Sequence, residues 1–388
     1  MSTGRGDAIL TFSLWDTWRD ASIREFCRPP DQVYKSLEAS PRVDRLIVAD
    51  PFRSGPIDLA RRARGRRIGF PESARLTHVR PLSWRRTDPV RLTQIRRRYE
   101  RYDRILHRAA NQAGVRAPSL VTFNPFVAAF APLEWCNSVV YYGRDDWTAF
   151  DRSKPWLEAL QASYVEMRSR RVTICAVSRV LADRVAGPGS GVVIANGLDA
   201  AVWSAAGTAP AAVTALPRPL AGYAGTVDDR LDVNAIQALA RSGVVSSIAI
   251  FGPVGDPRVA EQLSSEPRVH LLGSLGQRDL VGALMSLDVC LLPHNVTALT
   301  KAMSPLKLYE YLASGTPVVA TDLPPIRNVD PRVILVADGD FVAGVAAGLA
   351  RPRLTAGERL EFVTNNAWHV RHEQLIDLLF SPVGWAES

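Results

Sequence analysis

Between Pro293 and Asp322 the chain reads PHNVTALTKAMSPLKLYEYLASGTPVVATD. Its residue types suit an anion site followed by a carboxylate. Ser304 is a good N-cap residue, because its hydroxyl can accept from a free backbone N–H of a first helical turn. Pro305 suits the first helical position, where a missing N–H costs nothing. Leu306 and Lys307 complete that turn, and Glu310 follows at i+3 from Lys307. A helix start offers unpaired N–H groups and partial positive charge, so it attracts anions. A lysine there opposes the helix dipole unless an anion is bound, and such a local conflict tends to mark a site. The bland alternative is a solvated helix start carrying a surface lysine. Against it, the chain has four lysines and 43 arginines, and two of the four are Lys301 and Lys307. Gly315 then reads as the helix C-cap and Thr316–Thr321 as a short buried strand.

Those residues must be positioned by α/β elements. Apolar runs predict strands at Ala8–Leu14, Arg45–Ala49, Leu120–Phe123, Val139–Tyr142 and Val172–Val177. A second set is predicted at Ala221–Gly225, Ser247–Phe251, His270–Leu272, Val289–Leu292, Val318–Thr321 and Val333–Val336. Helical periodicity covers Pro89–Ala113, and one long helix is expected over roughly Ala356–Phe380. The Ala- and Pro-rich stretch from Ala200 to Leu220 reads as a linker. Two doubly wound halves result, with ligand sites expected at the carboxyl ends of their strands. Strand-end turns supply candidates there: Gly225 and Thr226, Gly252, Ser274 and Leu275, and His294. Glycine lets backbone approach a ligand. His294 is as readily a structural histidine at a strand end. In the first half, YYGRDDW (Tyr141–Trp147) places Asp145 and Asp146 past a buried strand. Either could bind or deprotonate a ligand hydroxyl, or simply cap the next helix. Trp147 could stack on a ligand or belong to the core.

The segment SPLKLYEYLASGTPVVATDLP resembles the nucleotide-sugar-binding signature of family 4 glycosyltransferases, and more narrowly their bacterial teichuronic-acid and exopolysaccharide branch. The resemblance implies a GT-B fold: two doubly wound Rossmann-like domains facing each other across a cleft. It sets domains at 1–205 for the acceptor and 206–365 for the nucleotide sugar, with 366–388 as a C-terminal helix packing back on the first. Glu310 matches the glutamate that holds the donor ribose. The first glutamate of the family's pair would fall at Ala302 and is absent. Lys307 becomes the candidate diphosphate contact, in a branch that carries Ser-Pro-x-Lys. The GYAGT and DDRLD segments match the family's opening turn, which makes Asp228, Arg230 and Asp232 cleft candidates, Arg230 first because guanidinium suits phosphate geometry; Ser274–Leu275 match its base-facing turn. Asp145 stands where relatives have histidine, and Asp146 matches their aspartate. Looser matches at SLWDTWRD and FNP put Asp16, Arg19 and Asn124 on the acceptor side. Ser178 and the Asn196-Gly197 turn belong to further loose matches.

The implied activity is metal-independent transfer of a sugar, retaining by resemblance, from a nucleotide-diphosphate sugar. The donor is of UDP type first, GDP or TDP next. It acts as substrate, and no cofactor is expected. The acceptor hydroxyl belongs to a glycan, a polyprenyl-linked or a small-molecule acceptor. Rival readings are a sugar-nucleotide epimerase of the same fold and a non-catalytic binding subunit.

Composition bounds the remainder. The chain has 388 residues with 47% hydrophobic content, enough for two cores. No run of 18 apolar residues predicts a membrane span, and the N-terminal residues lack a signal-peptide pattern. Four scattered cysteines and six scattered histidines have no metal spacing, so reduced thiols in a cytoplasmic protein, at or away from the inner membrane face, are expected. The net charge of +8 is uneven: residues 1–120 carry +12. The excess peaks from Arg61 to Arg108, in RRARGRR and IRRRYERYDR. It reflects composition, or it meets an anionic membrane surface. Nucleic acid is not expected, because no recognition motif accompanies the arginines.

Overall fold

The computed structural model describes residues 4–54, 69–85, 87–205, 207–337 and 340–380. The run RRARGRR lies outside them. The chain divides into two compact units, residues 1–195 with 369–388, and residues 196–368.

In the first unit, among the described residues, seven parallel strands form one sheet. In chain order they are β1 (Gly6–Thr11), β2 (Val43–Ala49), β4 (Leu76–Val79), β6 (Ser119–Thr122), β7 (Ser138–Gly143), β8 (Thr173–Ala176) and β9 (Val192–Val193). The spatial order is β4-β2-β1-β6-β7-β8-β9. Two short segments, β3 (Arg53–Ser54) and β5 (Leu82–Ser83), pair separately. Strand order reverses at β1, where the doubly wound arrangement places ligand sites. The central strands are buried on both faces (Ile9, Leu10, Leu120, Val121 and Val140 are at 0%), which is why they read as continuous apolar runs. β4 and β9 escape that reading because they are short edge strands with mixed exposure.

Among its described residues the second unit carries six parallel strands: β10 (Leu220–Ala224), β11 (Ser247–Phe251), β12 (Val269–Gly273), β13 (Val289–Leu292), β14 (Val318–Thr321) and β15 (Val333–Val336). Their order is β12-β11-β10-β13-β14-β15. The Ala- and Pro-rich stretch does not divide the units. It forms two short helices, Ala200–Trp203 and Ala211–Thr214, with Trp203 and Val213 buried in the second unit.

The expected long C-terminal helix is instead two, Ala356–Asn365 and Trp368–Phe380. The break is made by Leu198, whose N–H donates to the Asn366 carbonyl at 3.0 Å while its carbonyl accepts from the Trp368 N–H at 3.0 Å. Gly197 permits this approach, since a Cβ there would lie 2.9 Å from the Asn366 carbonyl oxygen. From His369 the helix belongs to the first unit, where Ser119 and Ser138 donate to the Leu379 carbonyl at 2.7 and 2.8 Å.

Candidate functional site

In the second unit, four strand ends and one helix start converge. The helix Leu306–Ser314 begins one residue later than expected: Pro305 is its N-cap, and no side chain caps it. Ser304 is therefore outside the helix. It lies in the three-residue link after the helix Ala298–Ala302, and its carbonyl accepts from Asn196 Nδ2 at 2.6 Å. The uncapped first turn keeps its anion-attracting end, and Lys307 stands in it.

Lys307 Nζ donates to the Tyr223 hydroxyl at 3.0 Å and lies 4.9 Å from the centre of that ring. Among the described residues no carboxylate is within ion-pair distance of it. Tyr223 comes from the end of β10, directly before the Gly225 turn. A Cβ on Gly225 would fall 2.1 Å from both Lys307 Cε and Nζ. Gly252, at φ +139°, packs on Gly225, whose carbonyl oxygen would be 2.1 Å from an added Cβ. The two glycines thus let the ends of β10 and β11 close on each other and leave room for the ammonium. The Gly252 N–H in turn donates to the Gly273 carbonyl at 2.8 Å, tying in the turn that exposes Ser274 and half-exposes Leu275. Thr226 is half-exposed beside Gly225.

Arg230 is held bidentately by Asp228, with Nε–Oδ1 at 2.9 Å and Nη2–Oδ2 at 2.6 Å. Burial alone would raise the Asp228 carboxyl; the Arg230 bonds and charge, with Lys307 behind them, hold it below its ordinary value. Much of the Arg230 charge is therefore already compensated. Asp232 caps the helix Val233–Ser242.

His294 is 1% exposed, and neither ring nitrogen has a hydrogen-bond partner among the described residues. Its ring meets Tyr223 edge-on at 6.2 Å. Burial, then the charges of Lys307 and Arg230, lower its pKa to about 3, so it is a neutral imidazole. Glu310 is half-buried; burial raises its carboxyl to about 7, against the opposing pull of Lys307. Tyr311, at i+4 from Lys307, accepts from the Ala224 N–H at 2.7 Å and fixes the helix to β10. Tyr223 and Tyr311 are site residues that the sequence does not flag; the i+4 spacing of Tyr311 from Lys307 is a signal that could have found it, whereas Tyr223 reads as core.

The first unit holds a separate constellation. Asp146 is buried and caps the short helix Trp147–Ala149, accepting from Thr148 N–H at 3.0 Å and Thr148 Oγ1 at 2.6 Å. Its carboxylate also meets Arg184 Nε at 3.4 Å. Those partners make Asp146 a structural carboxylate. Asp145 is half-exposed, close enough to Arg152 to stabilise that guanidinium's charge, as Asp16 does. Arg152 lies over the Trp15 ring at 4.2 Å. The structure therefore assembles Asp145, Asp16, Arg152 and Trp15, of which the sequence flagged two. Asp16 also pairs with Arg24 at 3.1 Å, and Arg19 is half-buried with its Nε unpartnered.

Two expectations change here. Trp147 is 5% exposed and packs edge-on against Trp15 at 5.2 Å, so it is core and offers no open face to a sugar. Asn124 is 1% exposed with its amide consumed: Oδ1 accepts from the Phe126 N–H at 2.9 Å, and Nδ2 donates to the Tyr99 hydroxyl at 3.1 Å.

Residues 225–351 match the family of glycosyl transferases group 1. A Bacillus subtilis (strain 168) protein named as a teichuronic acid biosynthesis glycosyltransferase, TuaH, is 29% identical over 123 residues, 31% of each chain. The chain thus matches about a third of that relative's length. HepE of Anabaena in complex with UDP superposes with a TM-score of 0.55 at 14% identity, covering 97% of this chain and 96% of that one. A UDP-forming alpha,alpha-trehalose-phosphate synthase from Burkholderia vietnamiensis does so with a TM-score of 0.64 at 14% identity, covering 99% of both. By its two Rossmann-like parallel sheets the chain has the fold of GT-B glycosyltransferases. Its second unit carries the segment, residues 225–351, that matches the glycosyl transferases group 1.

Proposed function

We propose that this protein transfers a sugar from a UDP-type nucleotide sugar to an acceptor hydroxyl. The observation that carries the reading is the Lys307 ammonium, held by Tyr223 at an uncapped helix start with no carboxylate among the described residues paired to it. The diphosphate lies there, with the His294 imidazole and the N–H groups of the first turn as further donors. Glu310 accepts from the ribose hydroxyls. The turns at Gly225–Thr226, Gly252 and Ser274–Leu275 line the path of the nucleotide, the last beside the base. HepE, of the same fold, is known in complex with UDP and with UDP-glucose, which supports a uridine donor.

In the transfer, the bond between the anomeric carbon and the leaving phosphate oxygen breaks, and the acceptor oxygen forms the new one. The nucleoside diphosphate gains negative charge as it leaves. Lys307 and the helix start stabilise that charge more in the transition state than in the bound donor. The chain supplies these cations itself, which favours metal-independent transfer. Asp145, half-exposed beside Arg152, takes the proton of the acceptor hydroxyl. Retention of configuration rests on the family resemblance. The acceptor is a glycan end, lipid-linked or free, or a small molecule.

The test is to incubate the protein with UDP-sugars, alone and with an acceptor panel, and to follow UDP release and the sugar product. Acceptor-dependent UDP release, abolished in Lys307→Ala, is expected. Conversion of the nucleotide sugar alone into its epimer, or donor binding without release for every acceptor, would overturn the proposal.

A further inference from the structure

The helix Leu92–Gln112 presents Arg97, Arg101, Arg104 and Arg108 to solvent. Their spacing is i, i+4, i+7 and i+11, so they form one stripe about 16 Å long. Glu100 is the one exposed acid on this helix. Charge runs on a helix are usually solvated faces, but this one has apolar company. The segment Leu82–Arg85 is fastened to the same helix. Arg101 Nη2 donates to the Leu82 carbonyl at 3.3 Å, and Arg98 donates to Ser83 Oγ at 3.0 Å and to the Arg85 carbonyl at 3.1 Å. The segment turns its apolar side chains outward: Trp84 is 83% exposed and Leu82 45%, with Val90 at 57% just before the helix.

We infer that this face of the first unit docks on an anionic lipid bilayer, with the arginine stripe over the headgroup phosphates and Trp84 and Leu82 at the headgroup–acyl boundary. Guanidinium groups match phosphate, each basic residue near an anionic surface adds about 1 kcal/mol, or about fivefold in affinity, and indole favours the membrane interface. A polyanion in water would use the arginines and leave the aliphatic side chains without a role. The bilayer uses both. The inference does not depend on the donor site, which lies in the other unit.

Co-sedimentation tests it, with vesicles of phosphatidylcholine alone and mixed with phosphatidylglycerol. The protein is expected to bind the mixed vesicles about tenfold or more tighter, and less as salt rises. The variant R97Q/R104Q/R108Q spares the Arg98 and Arg101 bonds and is expected to lose binding on the order of a hundredfold. Trp84→Ser should weaken binding by about tenfold with unchanged salt dependence. Brominated acyl chains should quench wild-type fluorescence more than that of Trp84→Phe. Unchanged thermal melting verifies that each variant is folded. Equal binding to both vesicle types, or full binding by the triple variant, would overturn the inference. So would indifference to Trp84→Ser combined with equally tight binding of an oligonucleotide, which would make the face a plain polyanion site.

Discussion

The Lys307 ammonium rests on Tyr223: the Nζ–hydroxyl distance is 3.0 Å, and the ammonium lies over the ring at 4.9 Å. One residue begins a helix and the other ends a strand, and they are 84 positions apart in the chain. Tyr223 thereby gives a cation that opposes its own helix dipole a defined place before any anion arrives. Such preorganisation lowers the cost of ordering the lysine on binding.

Tyr223→Phe keeps the ring and removes the hydrogen bond. Nucleotide affinity is expected to fall by about three- to tenfold, from a lost bond of about 1 kcal/mol, with little change in melting temperature. Calorimetry with UDP on folded protein checks this. A Tyr223→Ala variant, which also removes the cation–ring contact, should lose more.

The two glycines predict opposite phenotypes. At Gly252 an added methyl meets the Gly225 backbone at φ +139°, and neither atom can yield. Gly252→Ala should cost about 3 kcal/mol or more of stability. At Gly225 the nearest obstacle is the far end of the Lys307 side chain, which can swing away, with the Tyr223 hydroxyl next at 2.7 Å. Gly225→Ala should cost about 1 kcal/mol of stability yet weaken nucleotide binding by about tenfold or more, because the ammonium has left its place. Denaturant melts and calorimetry on both variants separate the two effects.

Glu310 gives the pH dependence. Its folded pKa, about 7, is raised above the ordinary 4.5, so the fold favours the neutral acid. The stability contribution is full below 4.5 and is lost as pH rises through about 7. Relative to Glu310→Gln, wild type should lose about 1–2 kcal/mol across that window, discounted because the side chain is half-buried. Nucleotide binding has the opposite slope. Ribose hydroxyls need the carboxylate as acceptor, so wild-type affinity should rise as pH passes through about 7, and binding below that pH should release a proton. Thermal melts and calorimetry in buffers of different ionisation enthalpy read both.

The adjacent aspartates separate in the same manner. Asp146→Ala removes a cap and should cost about 1–2 kcal/mol of stability. Asp145→Asn should leave melting unchanged and slow transfer by about 10²–10³-fold. A melting loss confined to Asp145→Asn would reverse the assignment.

Most strands were legible because parallel strands buried on both faces read as apolar runs, and β11, β13, β14 and β15 begin and end where expected. The helix start near Lys307 was legible from Pro305 and the lysine, but its first residue was not. The helix Ala298–Ala302 ends close before it, which leaves Ser304 in a link. The C-terminal break at Asn366 could not be read locally, since it is made by Leu198, far away in sequence. The same holds for Tyr223: a buried tyrosine in a strand looks like core until the partner of its hydroxyl is known. Asp146 and Asn124 show the converse. A polar residue after a strand is a cap as readily as a reactive group, and only the hydrogen bonds tell which.

The most direct measurement is calorimetry of UDP, GDP, TDP and their common sugars against wild type, Lys307→Ala and Glu310→Ala. One nucleotide, UDP, should bind wild type selectively and lose most of its affinity in both variants, each still folded by melting. No nucleotide binding, or binding indifferent to both substitutions, would contradict the donor site.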